Sequence, residues 1–269
     1  MNLDQFSARI INERYPLDCR WRMRSWTGPR GTQRLEHVFV NIPNKIVYLH
    51  THKNASTFVR QFFSNRPNRD PSLPASWLRT WHGSAHVAYY QLQEHCDLKE
   101  FGHFWIVRNP IDRIISAFLR GKHRGWVTVE GERDEFIVIG GERFPRPHRY
   151  ALPNEFRVFL QRVEMSYFDS HVYPQVVTFA DKGINLSDID DIILFDKMTT
   201  ELQDYSDKEN LGWDVISQKP KNQQSSQEKT ILQEYVQNNS DIVSRIHKLY
   251  PEDFLIYNHI KELRNGTNT

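Results

Sequence analysis

The sequence predicts an α/β fold: a single domain with a central parallel sheet flanked by helices. Three observations carry the prediction. Short apolar runs of strand length recur along the chain, and two of them lead through a tight loop into an amphipathic helix. The composition, 39% hydrophobic and 13% aromatic over 269 residues, suits one sizeable core. Strands buried on both faces read as continuous apolar runs, as these do. Residues 1–269 are therefore expected to form one domain, with a hairpin insertion at about 122–150.

The first unit begins at residues 45–50 (KIVYLH), a buried strand introduced by the turn signal Pro43-Asn44. It runs through Thr51-His52-Lys53-Asn54-Ala55 into a helix over 56–63, where Phe58, Val59, Phe62 and Phe63 recur at helical spacing. A second unit repeats the plan: residues 104–107 (FWIV) are a strand, Arg108-Asn109-Pro110 a turn, and 111–119 a helix with Ile114, Ile115 and Phe118 inward. Pro110 stands where a helix start tolerates proline. Residues 154–163 form an amphipathic helix with Phe156, Phe159, Leu160 and Val163 on one side. Residues 192–195 (IILF) give a third buried strand.

Between 121 and 149 the pattern turns hairpin-like, with 126–129 and 136–139 as paired strands. This segment is either a flap over a binding site or an ordinary surface insertion. Residues 218–227 are polar and read as a loop. The C-terminal part is helical in two pieces broken near Asn238-Asn239, where Ser240 is placed to cap the second.

Charge narrows the function classes. Lys and Arg number 35 against 33 for Asp and Glu, a net charge of +2, which is no basis for nucleic-acid binding by bulk electrostatics. Any anion site must be local. The two cysteines, Cys19 and Cys96, make neither a disulfide framework nor a zinc site, although a single bridge between them stays open. No His/Cys/Asp/Glu cluster has convincing ligand spacing, so no metal is expected. Residues 1–15 are charged throughout and no stretch approaches the roughly 18 apolar residues of a membrane span, so a cytoplasmic protein is expected. The Asn-x-Ser/Thr triplets at Asn54, Asn185, Asn238 and Asn265 carry no weight without a secreted context.

A loop that leaves a buried strand and enters a helix offers free amides and the positive end of the helix dipole, which together bind anions. Residues 52–57 occupy that place as a P-loop-like phosphate site. Lys53 adds a point charge, Ser56 and Thr57 add hydroxyls, and small Ala55 lets a phosphate approach the backbone. The bland alternative is a helix capped by Asn54 or Ser56 beside an exposed lysine. The loop lacks the glycines of the GxxxxGK(S/T) pattern. In the second unit, Arg108 at a strand end is suited to grip a second phosphate, and Ser116 lies about two turns into the next helix.

Taken together, YLHTHKNASTF and FWIVRNPIDRIISAFL closely resemble the two cofactor motifs of the sulfotransferase superfamily, particularly its carbohydrate sulfotransferase branch. The resemblance implies 3′-phosphoadenosine 5′-phosphosulfate (PAPS) as donor, with 3′-phosphoadenosine 5′-phosphate (PAP) as its product. It places Lys53, Asn54, Ala55, Ser56 and Thr57 around the 5′-phosphosulfate, and Arg108 and Ser116 at the 3′-phosphate. Residues 171–175 (HVYPQ) look like the family's H-x-x-P-Q element, and 250–257 (YPEDFLIY) like its C-terminal Y-x-x-D-F-x-x-Y element. Two departures stand out. Asn109 replaces the usual Asp of the R-D-P turn, and Lys53-Asn54-Ala55 replaces Lys-Thr-Ala or Lys-Thr-Gly. Asn, like Asp, bonds its local backbone and keeps such a turn.

Transfer to a hydroxyl calls for a general base, and histidine suits neutral pH. Residues 81–90 (WHGSAHVAYY) lie between the motifs and resemble the H-x-H-V element that carries the base in glycan 2-O-sulfotransferases. His86 matches best, with His82 as assistant or substitute; His50, His52 and His171 compete. The resemblance implies a hydroxyl-bearing acceptor, a glycan or glycoconjugate. Trp77, Trp81, Tyr89, Tyr90 and Trp126 are either sugar-stacking or core residues, and Arg120, Lys122, His123 and Arg124 either hold an anionic glycan or are solvated. Two other classes stay in view: a nucleotide or small-molecule kinase, which predicts magnesium dependence, and a nucleotide-binding protein without transfer activity.

Overall fold

The computed structural model describes residues 2–15, 37–64, 79–81, 84–125, 127–130, 136–145, 152–167, 171–218 and 227–266. The central sheet takes strands β1 (His37–Asn41), β2 (Ile46–Leu49), β3 (Arg79–Trp81), β4 (Ser84–Ala88), β5 (Gly102–Val107) and β9 (Asp191–Leu194) in the order β3-β4-β1-β2-β5-β9. The pairs β2–β5 and β5–β9 are parallel. These are the three strands legible as buried runs.

The other half of the sheet is antiparallel: β1 pairs with β2 and β4, and β3 with β4. The reason is local. Four residues, Ile42 to Lys45, join β1 to β2, closed by the Lys45 amide on the Ile42 carbonyl at 3.0 Å with Lys45 at φ 51°. Such a connection is long enough only for a hairpin, whereas parallel neighbours need a crossover. The central sheet is thus mixed, with its parallel part on the side that bears the two loops.

Strand pleating sorts side chains onto two faces. Val38, Val40, Val47, Leu49, Trp105, Val107 and Leu194 join a cluster with α1 (Ala8–Arg14), α3 (Tyr89–His95), α6 (Val177–Ala180) and part of α10 (Pro251–Gly266). Phe39, Ile46, Tyr48, Phe104, Ile106 and Ile193 face the other way, onto α2 (Ser56–Ser64), α7 (Met198–Lys208) and Trp213. A third cluster joins α4 (Pro110–Arg124), α5 (Leu152–Met165), α8 (Gln227–Gln237) and α9 (Ser240–Leu249) to the small sheet β6 (Val127–Glu130), β7 (Phe136–Ile139) and β8 (Glu142–Pro145). Ile137 and Ile139 are fully buried there, so one face of the hairpin insertion belongs to the core. Trp126 and the hairpin's charged turn lie outside the described residues.

Among the described residues, the C-terminal region holds three helices. The break near Asn238-Asn239 is present, but Ser240 is the first helical residue of α9 rather than its cap. Asn239 takes the cap position, and its side chain donates to the Tyr235 carbonyl at 2.6 Å instead of bonding forward. A further break falls at Tyr250, where Pro251 opens α10 in the position that proline prefers. Residues 219–226 of the expected polar loop lie outside the described residues. None of the described helices is long and apolar enough to cross a membrane.

Candidate active site

β2 and β5 are parallel neighbours, with Leu49 beside Trp105, so the loops that follow them emerge side by side. From β2 the chain continues to the β3–β4 edge, and from β5 to β9; such divergence opens a crevice at the strands' C-terminal ends. Residues 50–55 form the first wall. Lys53 (φ 70°) and Ala55 (φ 58°) both adopt the left-handed region, an unusual cost for two non-glycine residues in one loop. The loop is held by its surroundings. The Tyr48 hydroxyl donates to the Asn54 carbonyl at 2.9 Å, Trp105 Nε1 donates to Thr51 Oγ1 at 2.8 Å, and Thr51 Oγ1 donates to Thr178 Oγ1 at 3.0 Å. The amides of Phe58 and Val59 close on the Ala55 carbonyl at 2.7 and 3.0 Å. Those of Ser56 and Thr57, at the positive end of α2, meet no carbonyl among the described residues.

The second wall begins at Arg108. Asn109 caps α4, accepting from the amides of Ile111 at 2.9 Å and Asp112 at 3.4 Å, so asparagine keeps the turn as expected. Arg108 Nη1 donates to the Lys53 carbonyl at 2.8 Å, joining the two motifs directly. Its guanidinium lies 4.2 Å over the Phe195 ring, and its Nε is buried with no hydrogen-bond partner among the described residues. Ser116, half-buried, shares a face of α4 with Arg113 three residues before it and Arg120 four after it.

Behind the walls sits a buried polar frame that sequence reading had only as weak motif echoes. Asn54, fully buried, turns its side chain inward: Nδ2 donates to the Ile106 carbonyl at 2.7 Å and to Gln175 Oε1. Gln175 Oε1 also accepts from the Arg108 amide at 3.0 Å, while its Nε2 donates to the Arg108 carbonyl at 2.9 Å. Asp253 accepts from the amides of Gln175 at 2.8 Å and Val176 at 3.1 Å, and the Tyr250 hydroxyl donates to the Val172 carbonyl at 2.7 Å. Arg113, 2% exposed, faces Asp253 and donates its Nε to the His52 carbonyl at 3.2 Å. The side chain of Asn54 is thus engaged within the protein, which leaves Lys53, Ala55, Ser56 and Thr57 to line the loop's outer side. Arg113, near the start of α4, is a buried member of this frame.

The site is strongly cationic. Burial, followed by the charges of Arg108, Arg120, Arg113 and Arg124, lowers the Lys53 ammonium to about 7. Burial likewise lowers Arg108 to about 10, with Asp112 and Asp196 opposing. No ion pair joins Lys53, Arg108, Arg113, Arg120 or Arg124 to a carboxylate among the described residues. Clustered, partly desolvated cations that no ion pair neutralises among the described residues favour an anion between them.

The histidines divide. His86 lies in β4 with Phe39 between it and Tyr48 in register, so its Cα is about 10 Å across the sheet from that of Tyr48. His82 lies outside the described residues. His50, at the end of β2, packs edge-on against His52 with 4.8 Å between ring centroids. His171 stacks on His52 at 4.5 Å, so the H-x-x-P-Q element reaches the first loop at both its ends.

Comparison with known proteins adds one match. The family described as "Sulfotransferase family" matches residues 36–259. No curated protein and no solved structure matches.

Proposed function

This chain belongs to the sulfotransferase family, and from that premise we propose that it transfers a sulfuryl group from PAPS to a hydroxyl of a carbohydrate acceptor. The observation that carries the donor assignment is the contact between Arg108 and the Lys53 carbonyl, which draws two anion-gripping loops into one crevice lined by cations without carboxylate partners. The residues fit a donor with phosphate at both ends. Loop amides and Lys53 face one end, and Arg108, with Ser116 on α4, the other. The buried, unpartnered Nε of Arg108 is the kind of donor such an anion satisfies.

PAPS supplies an activated sulfur in a phosphosulfate linkage. His86 accepts the acceptor's hydroxyl proton as the new S–O bond forms and the bond to phosphate breaks. Lys53 and the α2 amides hold the charge that gathers on the departing phosphate oxygen. The carbohydrate acceptor rests on the motif resemblance, supported by Arg120 and Arg124 as an open basic flank of the same crevice. The match to the sulfotransferase family disfavours the kinase reading.

Calorimetric titration with PAP in metal-free buffer tests the donor site. Binding at about 10 μM or tighter is expected, weakened roughly 10- to 100-fold in Arg108→Ala. No binding, or a preference for ATP with magnesium, overturns the reading. The same titration has a pH signature. Lys53 is held near 7 without ligand, and an adjacent phosphate favours its charged form, so binding at pH 7 to 8 takes up protons. PAP affinity is expected to fall as pH rises above about 7. Lys53→Arg, charged throughout, flattens that slope. Binding heats compared in two buffers of different ionisation enthalpy count the protons directly.

A further inference from the structure

We propose that Gln175 is a positioning residue that fastens the two donor loops to each other, with Asp253 setting it in place, so that both ends of the donor are gripped by one rigid unit. This rests on the donor reading above and extends it to residues outside the two cofactor motifs.

Gln175 is fully buried and its amide is used at both ends. Oε1 accepts from the Arg108 N–H at 3.0 Å and Nε2 donates to the Arg108 carbonyl at 2.9 Å, so the side chain pairs with Arg108 as a neighbouring strand would. Arg108 lies one residue beyond β5, where the sheet no longer supplies such a partner. The same Oε1 accepts from Asn54 Nδ2, and that nitrogen also donates to the Ile106 carbonyl. One side chain thereby fixes the backbone of the arginine loop and the staple of the lysine loop.

Gln175 is itself held from the far end of the sequence. The two carboxylate oxygens of Asp253 take the successive amides of Gln175 and Val176 in a fork, and Tyr250 anchors Val172. Arg113 faces the same carboxylate and reaches the His52 carbonyl, so the frame returns to the lysine loop from below. With the amide removed, the Arg108 N–H and carbonyl lose buried partners, and the guanidinium is left with only its bond to the Lys53 carbonyl and its place over Phe195. Residues that bond the loops from behind fix where the donor's two anions bind without touching it.

The test measures PAP affinity and steady-state kinetics for the wild type, Gln175→Ala and Gln175→Glu. In Gln175→Ala, PAP affinity is expected to drop about tenfold or more and donor KM to rise with it, while acceptor KM stays within about twofold. Glutamate keeps the acceptor atoms but, when ionised, loses the donor and stands beside Asp253, with Arg108 and Arg113 the facing cations. Its PAP affinity relative to the wild type at each pH is expected to recover below about pH 6, where the protonated acid again donates to the Arg108 carbonyl. A purely structural residue would lower melting temperature without this pH-dependent rescue. Equal PAP affinity in all three proteins, or equal losses for donor and acceptor, overturns the proposal.

Hydrogen exchange on the wild-type chain covers the case in which neither variant folds. PAP is expected to slow exchange in 52–57 and 171–178 together, and slowing confined to 52–57 overturns the clamp. A wild type that does not bind PAP sinks the donor reading itself. A wild type that binds beside unaffected variants sinks only the clamp.

Discussion

Lys53→Ala is expected to cut turnover by about 10²- to 10³-fold, the range measured when one preorganised donor is removed from a developing oxyanion. The lysine sits in a low-dielectric crevice where burial and four arginines have already lowered its affinity for a proton to about 7. An ammonium so placed gains most when negative charge grows beside it, as it does when the phosphate leaves. PAP affinity falls less, because the α2 amides and Arg108 remain. His86→Ala is expected to leave PAP affinity unchanged and to lower turnover by about 10²- to 10⁴-fold, since it removes only the proton acceptor. Single-turnover rates with saturating donor separate the two roles. A Lys53→Ala enzyme with normal turnover and a raised donor KM would make the lysine a binding residue only, and a fully active His86→Ala would move the base to His52 or His171.

How much of this was legible in the sequence follows from what each residue does. β2, β5 and β9 were readable because a strand covered on both faces has a continuous apolar run. β1 and β4 were not, because short antiparallel strands such as HVFVN and SAHVA carry polar members, and β1 owes its pairing with β2 to the hairpin at Ile42 to Lys45. The loops' cations could be named from the motifs. The inward turn of the Asn54 side chain could not, since it depends on Gln175, 121 residues away. Nor could the left-handed φ of Lys53 and Ala55, which no residue type at those positions announces. The H-x-x-P-Q and Y-x-x-D-F-x-x-Y elements were visible as strings, and their purpose appears only when Asp253 is seen holding the amides of Gln175 and Val176.

Arg113→Met is expected to destabilise the protein by about 2 kcal/mol at pH 7.5, because it leaves the buried Asp253 carboxyl without the cation that faces it. For a chain of this size that lowers the melting temperature by about 5 °C. Asp253 makes the effect pH-dependent. Burial pushes its carboxyl up to about 6 against the opposing pull of Arg113 and two amides. A carboxyl raised above its unfolded value of about 3.9 stabilises the fold while protonated, and that contribution is lost as pH rises from about 4 through the folded pKa. With Arg113 gone the folded pKa rises further, so loss continues above pH 6 in the variant after the wild type has levelled off. The gap in melting temperature between the two proteins is therefore expected to be small at pH 5 and full at pH 7.5. Arg113→Met with Asp253→Asn removes both charges and is expected to recover part of the loss at pH 7.5 and to abolish the pH dependence of the gap. A gap that does not change with pH would mean that Arg113 acts through packing and its bond to the His52 carbonyl, not through the charge of Asp253.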